Sequence, residues 1–204
     1  MPNSGKLVVF EGPDGVGKTT LVAATLKSLR ERGVAIKGIS FPGKEEGTLG
    51  WLVDQIHHGQ RNADLNELTP LSLQALHIAA HLDHIEREIQ PALRVGTAIL
   101  LDRFWWSTWV YGCAANVQID VLEKLIEAEK AAWGSIYPVE LFLINRTTPF
   151  RPEQDERGFA RLSAFYSELA DREAGRYPVT TIANDSIEES LGIIRGKLDP
   201  LFET

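Results

Sequence analysis

The sequence predicts a parallel α/β fold, in which an open sheet carries helices on both faces. Short, almost continuously apolar runs alternate with longer amphipathic segments along the 204 residues. Strands of this kind are buried on both sides, as in parallel sheets between two helical layers. A glycine-rich segment directly follows the first apolar run and opens the first helix, which is typical of phosphate-binding folds in this class.

Each element follows from the spacing of its apolar residues. The predicted strands are Leu7–Phe10, Val34–Phe41, Thr97–Leu101, Val139–Ile144 and Pro178–Ile182. The predicted helices lie near 18–31, 48–60, 67–93, 105–115, 118–133, 153–172 and 186–198. Ligands of open parallel sheets bind at the carboxyl ends of the strands. The functional candidates are therefore sought at 11–19, 41–48, 102–106 and 145–151.

The first strand is followed by a complete phosphate-binding loop, Gly12-x4-Gly17-Lys18-Thr19. Glycines let the backbone N–H groups surround a polyphosphate, and the next helix adds its positive N-terminal end. Lys18 is expected to reach the β- and γ-phosphates of ATP, and the Thr19 hydroxyl is expected to ligate Mg²⁺. The candidate nucleotide-binding residues of this loop are Gly12, Asp14, Gly15, Val16, Gly17, Lys18, Thr19 and Thr20.

The third predicted strand ends in Asp102-Arg103. A carboxylate at this place typically holds Mg²⁺ opposite the hydroxyl of the phosphate-binding loop, so Asp102 is the second metal candidate. The planar fork of Arg103 suits a phosphate at the same edge of the sheet. The alternative is an Asp–Arg pair that merely caps the next helix.

Composition excludes several classes of protein. The chain has 21 Lys and Arg against 28 Asp and Glu, a net charge of −7, so a surface that binds duplex nucleic acid is not expected. Its one cysteine, Cys113, allows no internal disulfide, which fits the cytoplasm. We find neither a signal-peptide pattern nor an apolar run of the roughly 18 residues that a membrane span needs. One domain, 1–204, with a lid near 145–158 is expected.

Four segments resemble the thymidylate kinase family in the correct order: FEGPDGVGKTT, FPGKEEGTLG, LLDRFWWSTWVYG and IANDSIEES. The resemblance implies a five-stranded parallel sheet, a short mobile lid and a homodimer. It also implies transfer of the ATP γ-phosphoryl group, with Mg²⁺, to a nucleoside monophosphate.

The resemblance also implies individual roles. Asp14 corresponds to an aspartate that contacts the 3′-hydroxyl of the acceptor sugar. Arg103 corresponds to an arginine that bridges the acceptor and donor phosphates. Tyr111 corresponds to an aromatic residue on the deoxyribose, with plain core packing as the alternative. The further family positions are Asp102 beside magnesium, Ser107 in the acceptor block, and Asn184 and Ser186 in the loop beside the adenine.

The acceptor half departs from the family pattern. Phe41 is expected at the acceptor, but Lys44 is the nearest cation where the family has an arginine. A second arginine, which reads the nucleobase, is missing from the long helix, where Leu82 aligns with it. Three histidines at i, i+4 and i+7 instead share one helical face, namely His77, His81 and His84. We expect them to line the acceptor pocket, His81 above all, or to face solvent; a metal site is the alternative.

The lid segment is short but basic. Gly15 occupies a position where some family members have an arginine. The resemblance implies that members with glycine at this position supply the transition-state cation from the lid instead. Arg151 and Arg157 are therefore the candidate lid arginines. Ion pairs with the acidic residues around them are the alternative.

Two other functions remain open. Residues 151–166 also resemble the lid of deoxynucleoside kinases, which need a carboxylate base after the second strand; Glu45 or Glu46 could serve. The missing acceptor arginines also allow a nucleotide-binding sensor without catalysis.

Overall fold

A computed structural model describes residues 5–57, 68–147 and 155–203. It contains five strands: β1 (Leu7–Glu11), β2 (Ile36–Ser40), β3 (Ala98–Asp102), β4 (Glu140–Asn145) and β5 (Val179–Ala183). All neighbouring strands are parallel, in the order β2-β3-β1-β4-β5. This confirms the predicted α/β fold and its five-stranded parallel sheet. Each strand begins and ends within two residues of its predicted bounds.

The helices also follow the prediction. They are α1 (Lys18–Glu31), α2 (Leu49–His57), α3 (Pro70–His84), α4 (Gln90–Arg94), α5 (Trp105–Ala114), α6 (Ile119–Trp133), α7 (Glu156–Glu173) and α8 (Ile187–Phe202). The one helix expected over 67–93 is divided, because a π-helical segment, Ile85–Ile89, separates α3 from α4. Pro91 lies just beyond it and lacks the N–H that an α-helical ladder would need at that position.

Alternate residues of the central strands face two separate cores, as the period of a strand requires. On one face, α1 and α8 pack against Val8, Phe10 and Leu100. On the other face, α3, α5, α6 and α7 pack against Leu7, Val9 and Leu101 in a larger core that contains four buried tryptophans. Burial of β1 and β3 on both faces leaves their carboxyl ends as the place where polar side chains gather. No described helix is both long and apolar enough to cross a bilayer.

Candidate active site

The phosphate-binding loop leaves β1 in a conformation that its glycines make possible. Gly12, Gly15 and Gly17 have φ values of 138°, 79° and 87°, a region that side-chain-bearing residues rarely adopt. A Cβ at Gly12 would lie 1.9 Å from the carbonyl oxygen of Ile144 in β4. The loop therefore runs directly against the neighbouring strand, and α1 begins at Lys18 with its N-terminus at the loop.

Lys18 is 6% exposed and turned back onto its own loop. Its ammonium group donates to the carbonyls of Gly12 and Pro13, at 2.8 and 2.7 Å. Burial, together with the charge of Arg103, lowers the pKa of Lys18 to about 8. Phosphate oxygens would be stronger partners than carbonyls for this cation. The ammonium group can therefore leave the two carbonyls and bind phosphate when a nucleotide binds.

Asn184 supports this loop from behind. Its side chain is 1% exposed, its amide donates to the carbonyl of Val16 at 2.7 Å, and its oxygen accepts from the Ser190 hydroxyl at 2.9 Å. Ser186 caps α8 and accepts from the backbone N–H of Glu189 at 3.4 Å. The Asn184 amide thus holds the loop and α8, and the place of Asn184 and Ser186 beside an adenine stays a prediction.

Asp102 ends β3 beside the loop, as predicted. It is 8% exposed, and its Oδ1 is buried without a hydrogen-bond partner among the described residues. Burial raises the pKa of Asp102, against the lowering effect of the Lys18 and Arg103 charges. A buried carboxylate oxygen without a hydrogen-bond partner is suited to bind a cation.

The donor set near Asp102 fits Mg²⁺ rather than a transition metal. No cluster of three or more His, Cys, Asp or Glu side chains that could hold a metal occurs in the described ranges. Mg²⁺ needs only one or two protein oxygens when phosphates and water complete its shell. Asp102 and the exposed Thr19 can supply those oxygens. The alternative of a metal site on the histidine face finds no support in this part of the chain.

Arg103 follows in a backbone conformation with φ of 75°, which is uncommon outside glycine. Its guanidinium donates to the Ser107 hydroxyl at 2.9 Å and forms a salt bridge with Asp14. The phenol of Tyr111 donates to the other oxygen of Asp14 at 2.6 Å and lies under the guanidinium. The structure therefore brings together three residues that the family resemblance assigned to the acceptor.

Electrostatics keep Asp14 ionised. Partial burial raises the pKa of Asp14, but the Arg103 charge and the Tyr111 hydrogen bond outweigh it, and the pKa ends below its ordinary value. Its side chain is 64% exposed, so the carboxylate stays accessible to a ligand. Asp14 can accept a hydrogen bond from a sugar hydroxyl while Arg103 faces the phosphates.

Ser107 is placed differently from the expectation. It is 7% exposed, and its hydroxyl lies within hydrogen-bond distance of Glu11 (2.7 Å), Arg103 (2.9 Å) and Tyr166 (2.9 Å). Ser107 thus contacts Arg103 and helps to hold it, and a direct contact of Ser107 with an acceptor stays a prediction.

Phe41 and His81 cover one another. Their rings stack with centroids 4.0 Å apart and an interplanar angle of 14°, and both residues are 2% exposed. His81 places Nδ1 3.0 Å from the Glu129 carboxylate on α6, since a buried imidazole needs a polar partner. In this conformation both rings are buried against each other, and contact of either with an acceptor stays a prediction. An acceptor base would have to displace Phe41 or reach the pair from its edge.

The remaining predicted residues lie at the rim. Lys44 is 73% exposed and 3.8 Å from Asp54, and Glu45 and Glu46 are exposed beside it. Arg157 is exposed in the first turn of α7, which Asp155 caps. Arg151 lies outside the described residues. The placement of these cations at an acceptor or a transferring phosphate remains a prediction.

Sequence reasoning missed Glu11, Tyr166 and Glu129. Each is a polar side chain buried by an element distant in sequence, and each meets the predicted residues only in three dimensions. Glu11 had one signal, an acidic residue between a wholly apolar strand and the phosphate-binding loop.

Comparisons of the sequence and the structure with known proteins all find thymidylate kinases. A sequence model of the family described as "Thymidylate kinase" matches residues 10–131. The thymidylate kinase of Bartonella quintana is 36% identical over 143 residues, 70% of this chain and 63% of that protein's length. The thymidylate kinase of Thermomicrobium roseum is 31% identical over 190 residues, 84% of each chain.

A solved structure agrees in fold. The crystal structure of thymidylate kinase from Ehrlichia chaffeensis superposes with a TM-score of 0.71 at 23% identity, covering 94% of this chain and 99% of the other. The family model covers more than half of the present sequence. The chain belongs to the thymidylate kinase family.

Proposed function

We propose that this chain transfers the γ-phosphoryl group of ATP to a nucleoside or deoxynucleoside monophosphate. The observation that carries the proposal is the cluster of Asp14, Arg103 and Tyr111, which lies at the same sheet edge as Lys18 and Asp102. A nucleotide-binding switch needs the loop alone. A nucleotide kinase also needs groups for a second, acceptor nucleotide, and this cluster supplies them.

Such transfer is a matter of position and charge rather than covalent chemistry by the protein. The loop N–H groups and Lys18 hold the donor phosphates, and Arg103 holds the acceptor phosphate in line with them. Bound Mg²⁺, held through Asp102 and Thr19, would neutralise charge on the β- and γ-phosphates. Asp14 and Tyr111 orient the acceptor sugar. Arg151 and Arg157 of the lid would stabilise the transferring group, as an arginine does in related enzymes.

The relatives are named thymidylate kinases, so thymidylate is the first acceptor to test. The acceptor half of this chain nevertheless has Lys44 and Leu82 in place of the two arginines expected there. The natural base is therefore to be found by a panel rather than assumed. Homodimer formation and a location in the cytoplasm are further proposals, supported by family membership and by the single buried thiol, Cys113.

The test is ADP release from ATP and Mg²⁺, measured by a coupled assay across nucleosides and nucleoside monophosphates. Turnover that requires a monophosphate, and that disappears in Lys18→Ala, supports the proposal. Turnover on a deoxynucleoside but on no monophosphate would instead establish a deoxynucleoside kinase. ATP binding without turnover on any acceptor would establish a sensor. Light scattering at assay concentration tests the dimer.

A further inference from the structure

Glu11, the last residue of β1, is a fully buried carboxylate with an unusual number of partners. It is 0% exposed. Its Oε1 accepts from the backbone N–H groups of Phe104 and Ser107, at 2.7 and 3.0 Å. Its Oε2 accepts from the Ser107 and Tyr166 hydroxyls, at 2.7 and 3.2 Å, and from the Gly12 N–H at 3.3 Å. Burying a carboxylate is costly unless its oxygens are satisfied in this way.

The first oxygen caps a helix from outside. Helix α5 begins at Trp105, and the residue at its N-cap position, Phe104, has no side-chain group that could accept a hydrogen bond. The N–H groups of a first helical turn need such an acceptor. Glu11 supplies it from the neighbouring strand, and its charge also suits the positive end of the helix. The carboxylate thus fixes α5 relative to the phosphate-binding loop, which starts at the next residue.

The second oxygen orients a hydroxyl. Burial raises the pKa of Glu11, whereas the Arg103 charge and the hydrogen bonds from Ser107 and Phe104 favour its ionised form. The Oε2 of an ionised carboxylate can only accept, so the Ser107 hydroxyl points its hydrogen at Glu11. The lone pairs of Ser107 are then available to Arg103, whose Nη1 donates to that oxygen at 2.9 Å. The hydrogen bonds therefore run in one direction, from Arg103 through Ser107 to Glu11.

We propose that Glu11 is a positioning residue that sets the Arg103 guanidinium for phosphoryl transfer, through the Ser107 hydroxyl and the cap of α5. The inference rests on the proposed function only for its kinetic consequence. Because Glu11 is fully buried, its role is to act through Arg103 rather than by contact with a nucleotide. Tyr166, on the helix that follows the lid segment, contributes a further hydroxyl to the same carboxylate.

Glu11→Gln is the decisive change, because it keeps the shape and replaces one acceptor by a donor. The new amide N–H₂ would face the Gly12 N–H and would turn the Ser107 hydrogen away from Glu11, so that Arg103 loses its ordered partner. We expect kcat to fall about tenfold or more, with the Kd for ATP within about threefold of the parent, because the loop backbone carries that binding. Ser107→Ala should show a similar loss, and the double variant should lose little more than either single one.

Glu140→Gln is the matched control. Glu140 is also buried, and its carboxylate accepts a hydrogen bond from Thr180 at 2.8 Å. It lies at the amino end of β4, away from the carboxyl ends of the strands, so its variant should keep the parental kcat. A Glu11→Gln protein with parental kcat, or a loss shared equally by Glu140→Gln, would overturn the proposal.

A second measurement needs no turnover and so separates this inference from the proposed function. The ¹⁵N resonances of the Arg103 side chain, assigned by comparison with Arg103→Lys, should shift in Glu11→Gln and Ser107→Ala but not in Glu140→Gln. Unchanged Arg103 resonances would refute the positioning role whatever the acceptor is. If Glu11→Gln does not fold, the Ser107→Ala resonances and kcat decide the question alone.

Discussion

Replacing Asn184 by alanine should disturb ATP binding without removing any group that touches ATP. The Asn184 amide is the link between β5 and the phosphate-binding loop, through its 2.7 Å hydrogen bond to the Val16 carbonyl. A Cβ at Gly17 would lie only 2.5 Å from the same amide nitrogen, so the loop rests directly on it. Alanine leaves the Val16 carbonyl without this partner.

The magnitude follows from the contacts that are lost. A buried carbonyl left without its donor costs about 1–3 kcal/mol of unfolding free energy. The Ser190 hydroxyl, the other partner of Asn184, can turn to the carbonyl of Ser186 one turn earlier, so it adds little. If about half of this energy, about 0.5–1.5 kcal/mol, goes into ordering the loop when ATP binds, the KM for ATP rises about two- to tenfold, since about 1.4 kcal/mol corresponds to a factor of ten.

The assay pairs urea unfolding with steady-state kinetics at varied ATP. Thr69→Ala is the control, because Thr69 caps α3 far from the loop and its loss costs about 1 kcal/mol. Thr69→Ala should lower stability and leave the KM for ATP at its parental value. An Asn184→Ala protein that is destabilised, yet binds ATP within twofold of the parent, would refute the idea that this amide shapes the loop.

Three further predictions concern single side chains. Because Lys18 has a pKa of about 8 in the free protein, through burial and the Arg103 charge, and phosphate should restore its proton, ATP binding at pH 9 should take up close to one proton. Calorimetry in buffers of different ionisation enthalpy would show this as a buffer-dependent heat, and equal heats would contradict it. Burial, with His81 and His57 nearby, lowers the pKa of His77 to about 3. Below about pH 6.5 the unfolded chain therefore binds a proton that the folded protein does not bind. The free energy of unfolding should decrease as the pH is lowered from about 6.5 towards 3, by up to about 1.4 kcal/mol per pH unit. Urea titrations of His77→Gln should show a flatter pH dependence, and an unchanged slope would reject the assignment. Finally, Lys44→Ala should raise the KM for the acceptor more than that for ATP, whereas Lys44→Arg should not; equal acceptor KM values in all three proteins would exclude Lys44 from the acceptor site.

Local patterns explain why much of the donor half could be predicted. The loop Gly12–Thr19 is one continuous segment, and the two glycines that its spacing requires, Gly12 and Gly17, have positive φ angles in the structure. Asp102 ends a buried strand and Arg103 follows it, so the parallel sheet necessarily brings them to the same edge as the loop. The apolar period of the strands and the parallel sheet are sufficient to predict where such residues lie.

The supporting contacts could not be predicted, because they join residues far apart in the chain. Glu11 meets Tyr166 across 155 positions, and Asn184 meets Val16 across 168. No periodicity within one segment encodes such a pair. For the same reason Ser107, assigned to the acceptor, belongs to the network beneath Arg103. His81 likewise lies under Phe41 and is held by Glu129.

Direct identification of the product is the sharpest test of the proposed activity. The protein would be incubated with Mg²⁺, ATP labelled in its γ-phosphoryl group, and the best monophosphate acceptor from the panel, with Lys18→Ala as the blank. We expect the label in the β-phosphate of the acceptor's diphosphate, formed in equal amount to ADP and absent from the blank. Label found only in inorganic phosphate, or in a nucleoside 5′-monophosphate made from a nucleoside, would contradict a nucleoside monophosphate kinase.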